Sequence, residues 1–377
     1  MTTPVPDIQI PPELLPADGR FGSGPAKVRD EAVAALATRA RTFLGTSHRR
    51  PGVKDLVGGV QEGLADLYDL PPGYEVLLGN GGATAFWDAA ALGLIEHRSQ
   101  HLSFGIFSAK FAAVVAGVPS LEPPDIIVSE YGTHPRPVAS DGVDAYALTH
   151  NETTTGVRME IRRPDANGLV LVDATSAAGA LRVDPGEFDV YYFSPQKAFG
   201  SDGGLWVAIC SEAAIDRIER IASTDRYIPA FLSLRLALEN SRQSQTYNTP
   251  ALATLFLLAH QIDWIRSMGG LEWAASRSER HAGIVYQWAD RSQFASPFVA
   301  KPGERSPVTA TIDFDASVPA TQVASVLRAS GILDTDSYRK LGRNQLRIGL
   351  WPSIESEDVE ALTRSIDYVV ERLASGT

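Results

Sequence analysis

The sequence holds a single cysteine, Cys210, in 377 residues. That excludes an internal disulfide and any metal site built from several thiolates. Cys210 ends the apolar run GLWVAIC, so it reads as a buried, inert thiol that suits a reducing cytoplasm. Blocks of Lys and Arg are also missing. The formal net charge is −11, so neither nucleic acid nor an anionic membrane is an expected partner. An anionic ligand must then be caught by local groups. No apolar run approaches the roughly 18 residues that cross a bilayer. The longest, around 251–259, reads as a core helix. The opening MTTPVPDIQIPPELLPADGR lacks the basic and apolar regions of a secretion signal, and its prolines predict an extended arm over 1–20. Internal repeats and low-complexity segments are absent.

What is present is an ordinary globular composition, 44% hydrophobic and 21% charged, long enough for two domains and a large core. In the middle of the chain strands and helices alternate. YEVLLGN, HLSFGI, AYALTH, GLVLVDA, FDVYYFS and GLWVAIC read as short strands. Several are apolar at consecutive positions, as in strands covered on both faces. This predicts an α/β domain with a mainly parallel sheet over 21–268, with ligands at the carboxyl ends of its strands. From Asn248 the pattern changes to long helices broken at Gly269-Gly270, an alternating strand VTATIDFD, a strand LRIGLW and a capped amphipathic helix from Ser356. This predicts a smaller α+β domain over 269–377, joined by a helix through about 255–275.

Three stretches carry chemistry. In LLGNGGATAFWD a strand runs into Gly79-Asn80-Gly81-Gly82 and Ala83-Thr84 open a helix. Glycines let a ligand approach the backbone, and a helix N-terminus offers free N–H groups, which together suit a phosphate. The alternative is a tight turn with Thr84 as helix cap. No Gly-Lys-Ser/Thr follows, so this is not a P-loop, and Thr84 breaks the dinucleotide pattern. In GLVLVDATSAAGA, Asp173 ends an apolar run; its carboxylate is either a turn cap or the partner of a buried cation. In DVYYFSPQKAFGSDGG, Lys197 stands just past a buried strand among glycines, where a solvated loop residue is the ordinary expectation. Lys197 follows Asp173 by 24 residues, one strand–loop–strand unit, so all three project from one rim. A phosphate cradle, a carboxylate and a lysine in that order match pyridoxal 5′-phosphate. The lysine forms a Schiff base, and the carboxylate keeps the pyridine nitrogen protonated.

FGSGPA at 21–26, SHR at 47–49, GGAT, HNETTTG at 150–156, DATSA, QKAFG and NTP at 248–250 stand in the order found in one family. From about residue 20 to 375 the chain resembles the phosphoserine aminotransferases, class V, fold-type I enzymes dependent on pyridoxal phosphate. The resemblance implies a mainly parallel sheet of the seven-stranded type plus a smaller α+β domain. It implies Lys197 and Asp173 as catalytic residues. Ala83, Thr84, Phe107, Thr153 and Gln196 are implied at the cofactor. Phe107 falls where many relatives place a tryptophan. Asn248 and Thr249 match a pair that reaches the cofactor phosphate from a neighbouring subunit, which implies a homodimer with shared sites. Arg347 resembles the α-carboxylate arginine, and His48, Arg49 and Arg339 the phosphate-ester clamp; Tyr338 stands where many relatives carry histidine. Arg50 and Arg343 read as solvated neighbours. The implied activity is ping-pong amino transfer from glutamate to 3-phosphohydroxypyruvate; the sequence does not decide whether the similar phosphorylated 2-oxo acid of vitamin B6 synthesis is also a substrate. An alanine–glyoxylate type of class V enzyme would not need the clamp. A sulfur-mobilising enzyme would need a mobile nucleophilic cysteine, and a non-catalytic relative would have lost Lys197 or Asp173.

Overall fold

The computed structural model describes residues 6–375, so residues 1–5 of the expected arm and 376–377 of the expected small domain lie outside the described residues. Two helices come first, α1 (Asp30–Phe43) and α2 (Pro51–Leu67). Strand and helix then alternate through β1 (Glu75–Asn80), α3 (Ala83–Gly93), β2 (Ser99–Ser103), α4 (Ile106–Ala116), β3 (Asp125–Val128) and β4 (Ala145–Thr149). A small hairpin, β5 (Asn151–Glu152) and β6 (Val157–Arg158), precedes β7 (Leu169–Asp173), β8 (Val190–Phe193), β9 (Leu205–Cys210) and α5 (Glu212–Ala222). Next come α6 (Leu234–Ser241), α7 (Leu252–Met268) and α8 (Gly270–Arg291). The chain ends with β10 (Ala295–Pro297), β11 (Thr309–Phe314), α9 (Ala320–Ala329), β12 (Gln345–Gly349) and α10 (Ser356–Ala374).

Seven strands form the central sheet in the order β1-β9-β8-β7-β4-β2-β3. Strands β3, β2, β4, β7 and β8 are parallel, and β9 runs against both its neighbours. The reversal has a simple cause. Only a loop separates β8 from β9, and a parallel return needs a crossover element. That loop carries Lys197. Strands β4, β7, β8 and β9 are buried at every position, because helices cover both faces. Successive side chains therefore enter different cores: Val170, Val172, Tyr191 and Phe193 join α2 and α7 on one side. Leu171, Val190 and Tyr192 join α3, α5 and α6 on the other. Cys210 is buried, as its apolar run predicts.

The C-terminal part has an antiparallel sheet, β10-β11-β12, packed with α8, α9 and α10. The break expected at Gly269-Gly270 is present: Gly269, with a φ of 120° that is accessible to glycine, ends α7 before α8 begins, so two helices cover the connection through about 255–275. Within residues 6–20 the segment is docked rather than standing off as an arm. Ile10 is buried, Asp358 on α10 accepts from Ala17 N–H at 2.7 Å, and Ser365 donates to Leu14 O at 2.8 Å. The expected cap of α10 is also absent as a side-chain bond.

Candidate active site

The parallel strands deliver their last residues to one rim. Thr149 ends β4, Asp173 ends β7, and Ser194 to Lys197 follow β8. Across the rim, β1 runs into Gly81 and Gly82, which precede α3. These groups enclose a cavity of about 400 Å³ lined by Thr84, Phe107, Thr153, Asp173, Gln196 and Lys197, among others. Ala83 lines it too. So seven of the sequence-derived site residues meet in one cavity.

Its polar groups are held by a bonded frame. Asp173 accepts from Thr175 N–H at 2.9 Å through Oδ1 and from the Trp87 indole at 3.1 Å through Oδ2. It is thus a turn cap and a buried anion at once. Burial pushes its carboxyl upward, against the bonds from Thr175 and Trp87. A buried carboxylate of this kind calls for a cationic partner in the cavity. Thr153 donates to Ser176 Oγ at 2.8 Å, and Ser176 donates to Asn151 O at 2.9 Å. Gln196 accepts Ala26 N–H on its main-chain oxygen at 2.7 Å. Lys197 donates from Nζ to Ser23 O at 2.6 Å. Burial, then the charge of Arg347, push the Lys197 amine down to about 8, while Asp173 and Glu152 pull the other way.

Phe107 lies on the first turn of α4 and is fixed by Glu152. That fully buried carboxylate accepts from Phe107 N–H at 3.1 Å, Ser108 N–H at 2.9 Å and Ser108 Oγ at 3.0 Å. Its other oxygen accepts from Thr154. Gly105 must be glycine here, since a Cβ would lie 2.2 Å from Glu152 Cγ.

Arg347 on β12 faces a second groove, which shares Gly24 and Pro25 with the cavity and includes Tyr338 and Arg339. Burial pulls the Arg347 guanidinium down, and its Nε is buried with no partner among the described residues. Tyr338 lies under Arg347 at 5.2 Å and beside the Phe107 ring at 6.2 Å. Arg343 pairs with Asp313 instead, and Arg50 lies at the start of α2. His48, Arg49, Asn248 and Thr249 line neither cavity nor groove. They form a cluster of their own: His48 Nδ1 is 3.1 Å from Thr249 Oγ1, and Asn80 donates to Asn248 Oδ1 at 2.8 Å. Arg49 donates to Gln245 at 3.0 Å.

The cavity residues fit a phosphorylated pyridine aldehyde. Gly81 and Gly82 have φ of 123° and 107°, and the first turn of α3 offers free N–H groups. No side chain caps α3, so Thr84 remains available to a ligand. Thr175 Oγ1, Gln196 Oε1 and Asn151 Oδ1 are buried at the cavity without partners among the described residues. Sequence reasoning missed Trp87, Tyr192, Ser176 and Glu152. Glu152 stands inside the NET motif, which was a usable signal; the two aromatics read as plain core.

Residues 135–362 match the model of the aminotransferase class-V family. The chain is 56% identical over 370 residues to the phosphoserine aminotransferase of a Nocardioides strain, covering 97% of this chain and 99% of that protein. It is 53% identical over 364 residues to that of Corynebacterium glutamicum, covering 96% and 97%. A crystal structure of a phosphoserine aminotransferase from Cytophaga hutchinsonii superposes with a TM-score of 0.86 at 24% identity, over 93% of this chain and 98% of that one. A phosphoserine aminotransferase from Trichomonas vaginalis, solved with pyridoxal phosphate bound, gives 0.77 at 21% identity, over 93% and 99%. The neighbours carry the fold-type I architecture, and the curated relatives carry the family. With its lysine, carboxylate and glycine turn on one sheet rim, this chain belongs to the class-V aminotransferases, in the phosphoserine aminotransferase family.

Proposed function

We propose that this protein transfers an amino group from glutamate to 3-phosphohydroxypyruvate, forming O-phosphoserine and 2-oxoglutarate with pyridoxal phosphate as cofactor. One observation carries the reading. A partly buried lysine, a buried carboxylate and a glycine-led helix start share one cavity, which opens beside an arginine whose Nε has no partner.

When bound, the cofactor supplies an aldehyde that exchanges for an amine and a ring that accepts electrons. The residues supply the rest. Gly82, Ala83 and Thr84 hold the phosphate at the start of α3. Asp173, kept ionised by a ring N–H⁺, holds that proton in place. Phe107 covers the ring face. The Lys197 amine would hold the cofactor's aldehyde and, once free of it, would serve as the base that takes a proton from substrate Cα. An amine titrating near 8 can do this near neutral pH, because a useful fraction is unprotonated. Arg347 takes the α-carboxylate common to both substrates, as a bidentate fork.

The clamp for the phosphate ester follows from the cluster geometry. His48 is bonded to Thr249, so the two pairs travel together. If Asn248 and Thr249 serve the neighbouring subunit, His48 and Arg49 do so too. A homodimer then completes each site, with Arg339 contributed by the groove's own chain. We place the large domain at 21–268 and the small one at 269–377, with the docked N-terminal segment against the latter. No helix among the described residues is long and apolar enough to cross a membrane; the single buried cysteine supports a cytoplasmic setting.

The test is to convert the enzyme to its amine form with glutamate and offer keto acids. Reoxidation by 3-phosphohydroxypyruvate should exceed that by pyruvate or glyoxylate. Equal rates would favour an alanine–glyoxylate type of activity. Adding the phosphorylated keto acid of vitamin B6 synthesis to the panel decides the second substrate.

A further inference from the structure

One main-chain oxygen in the groove, against Lys197, has no part in the reading above. We propose that the Ser23 carbonyl is the acceptor that holds the Lys197 amine whenever it is not bonded to the cofactor, aiming its lone pair for proton transfer. This positioning role rests on Lys197 having the function just given.

The contact is direct, Nζ to Ser23 O at 2.6 Å, and no backbone N–H among the described residues competes for that oxygen. The strap carrying it is pinned on both sides. Phe21 O accepts Gly349 N–H at 2.7 Å, and Gly22 O accepts the Trp351 indole at 2.8 Å. Beyond Ser23, Ala26 donates to the main chain of Gln196, the residue before Lys197. The acceptor is therefore fixed relative both to the lysine and to β12, the strand of Arg347. Gly24 completes the device. Its φ is 129°, and a Cβ there would lie 2.2 Å from Lys197 Nζ. Any side chain at 24 would occupy the place of the amine.

The chemistry follows from what a carbonyl can do. A neutral amine has two N–H bonds and one lone pair. Donating one N–H to Ser23 O stops the group from rotating and leaves the lone pair free. The proton leaves substrate Cα as the C–H bond breaks, joins the lone pair, and departs to C4′; the lysine ends as it began, so no oxidant is needed. In between, Ser23 O favours the ammonium, since hydrogen bonds from charged donors are the stronger ones. The charged groups facing the amine are Asp173, Glu152 and Arg347.

The test replaces Gly24 with glycolic acid, which turns the Ser23 carbonyl into an ester, a poorer acceptor. Gly24 N–H makes no backbone bond among the described residues, so the strap's hydrogen bonds to Gly349, Trp351 and Gln196 stay in place. G24A is the steric companion. Borohydride trapping with peptide mass mapping comes first: the tag must fall on Lys197, and a tag elsewhere overturns the parent reading itself. With the tag at 197, the full-length cofactor-free chain is acetylated with acetic anhydride across pH. Burial and Arg347 should place the native midpoint below the ordinary lysine value. In the ester form it should fall, with about threefold more free amine at a given pH. In the loaded enzyme, single turnovers with Cα-deuterated glutamate should slow about tenfold or more, with a larger isotope effect. An ester form with native midpoint and native isotope effect overturns the proposal. So does a slow G24A beside an unaffected ester, which would leave only a need for space.

Discussion

The cofactor cavity and the arginine groove meet at Gly24 and Pro25, yet they are built on different principles. In the cavity, each functional group hangs from the end of a buried strand or a helix start and is bonded to a neighbour: Asp173 to Trp87 and Thr175, Thr153 to Ser176. The groove has one firm element, Arg347 on β12, and an irregular segment around Arg339. The rest of its expected cation set, His48 and Arg49, sits with Asn248 and Thr249 instead. The cavity gathers seven expected residues within one chain, whereas the groove gathers only Arg339 and Arg347 of its expected cations. A group retained through a whole cycle gains from rigid positioning, whereas a substrate that must enter and leave needs an open site.

Four measurements would break or sharpen that contrast. The largest effect belongs to the cavity: K197A should lower turnover by about a thousandfold or more while the chain still retains cofactor by dialysis and absorbance. Near-native turnover would remove the cavity from the chemistry. Next, R347A should lower kcat/KM by about ten- to a hundredfold for glutamate and for the phosphorylated keto acid alike. A loss confined to one of them would mean that Arg347 reads something other than the shared carboxylate. Third, mixing inactive K197A chains with R49A chains should restore activity on the phosphorylated substrate, up to about a quarter of the sites, if each groove is finished by its partner. No recovery in a mixture shown to exchange subunits would put Arg49 in its own chain's site. R49A alone should spare the glutamate half-reaction.

The smallest effect at neutral pH concerns two buried histidines of the large domain. Burial pushes His101 and His150 down to about 3. Both are neutral when folded, and the unfolded chain protonates near the ordinary value of 6.5. The unfolded state therefore binds more protons below that value. The stability is fully present above about pH 6.5 and is lost as pH falls toward 3, by about 1–2 kcal/mol per histidine at pH 5. The melting temperature should drop from pH 7 to 5, and less steeply in H150N. A flat profile would contradict the burial of these rings.

Much of the cavity was legible because strand ends are legible. Asp173 closes a run of apolar residues, and Lys197 follows the next such run. The direction of β9 was not, since an apolar run reads the same either way. Strand β3 also escaped notice. It is an edge strand with Ile126 and Val128 exposed, so burial left no clear pattern on it. Trp87 and Tyr192 looked like core aromatics, and only packing of α3 on the sheet turns the Trp87 indole toward Asp173. The groove was legible by resemblance alone. Its arginines are far apart in sequence, and no local spacing ties Arg49 to Arg347. Ser23 could not be read at all, because its contribution is a main-chain oxygen that every residue type possesses.

The strap from Phe21 to Ala26 has a consequence for biosynthesis. It is translated long before the groups that pin it, Gly349 and Trp351. Contacts this distant in sequence form late. A growing polypeptide must therefore display its reactive lysine with that wall of the pocket unbuilt, and stable capture of the vitamin-derived aldehyde should await synthesis of β12 and the residues just after it.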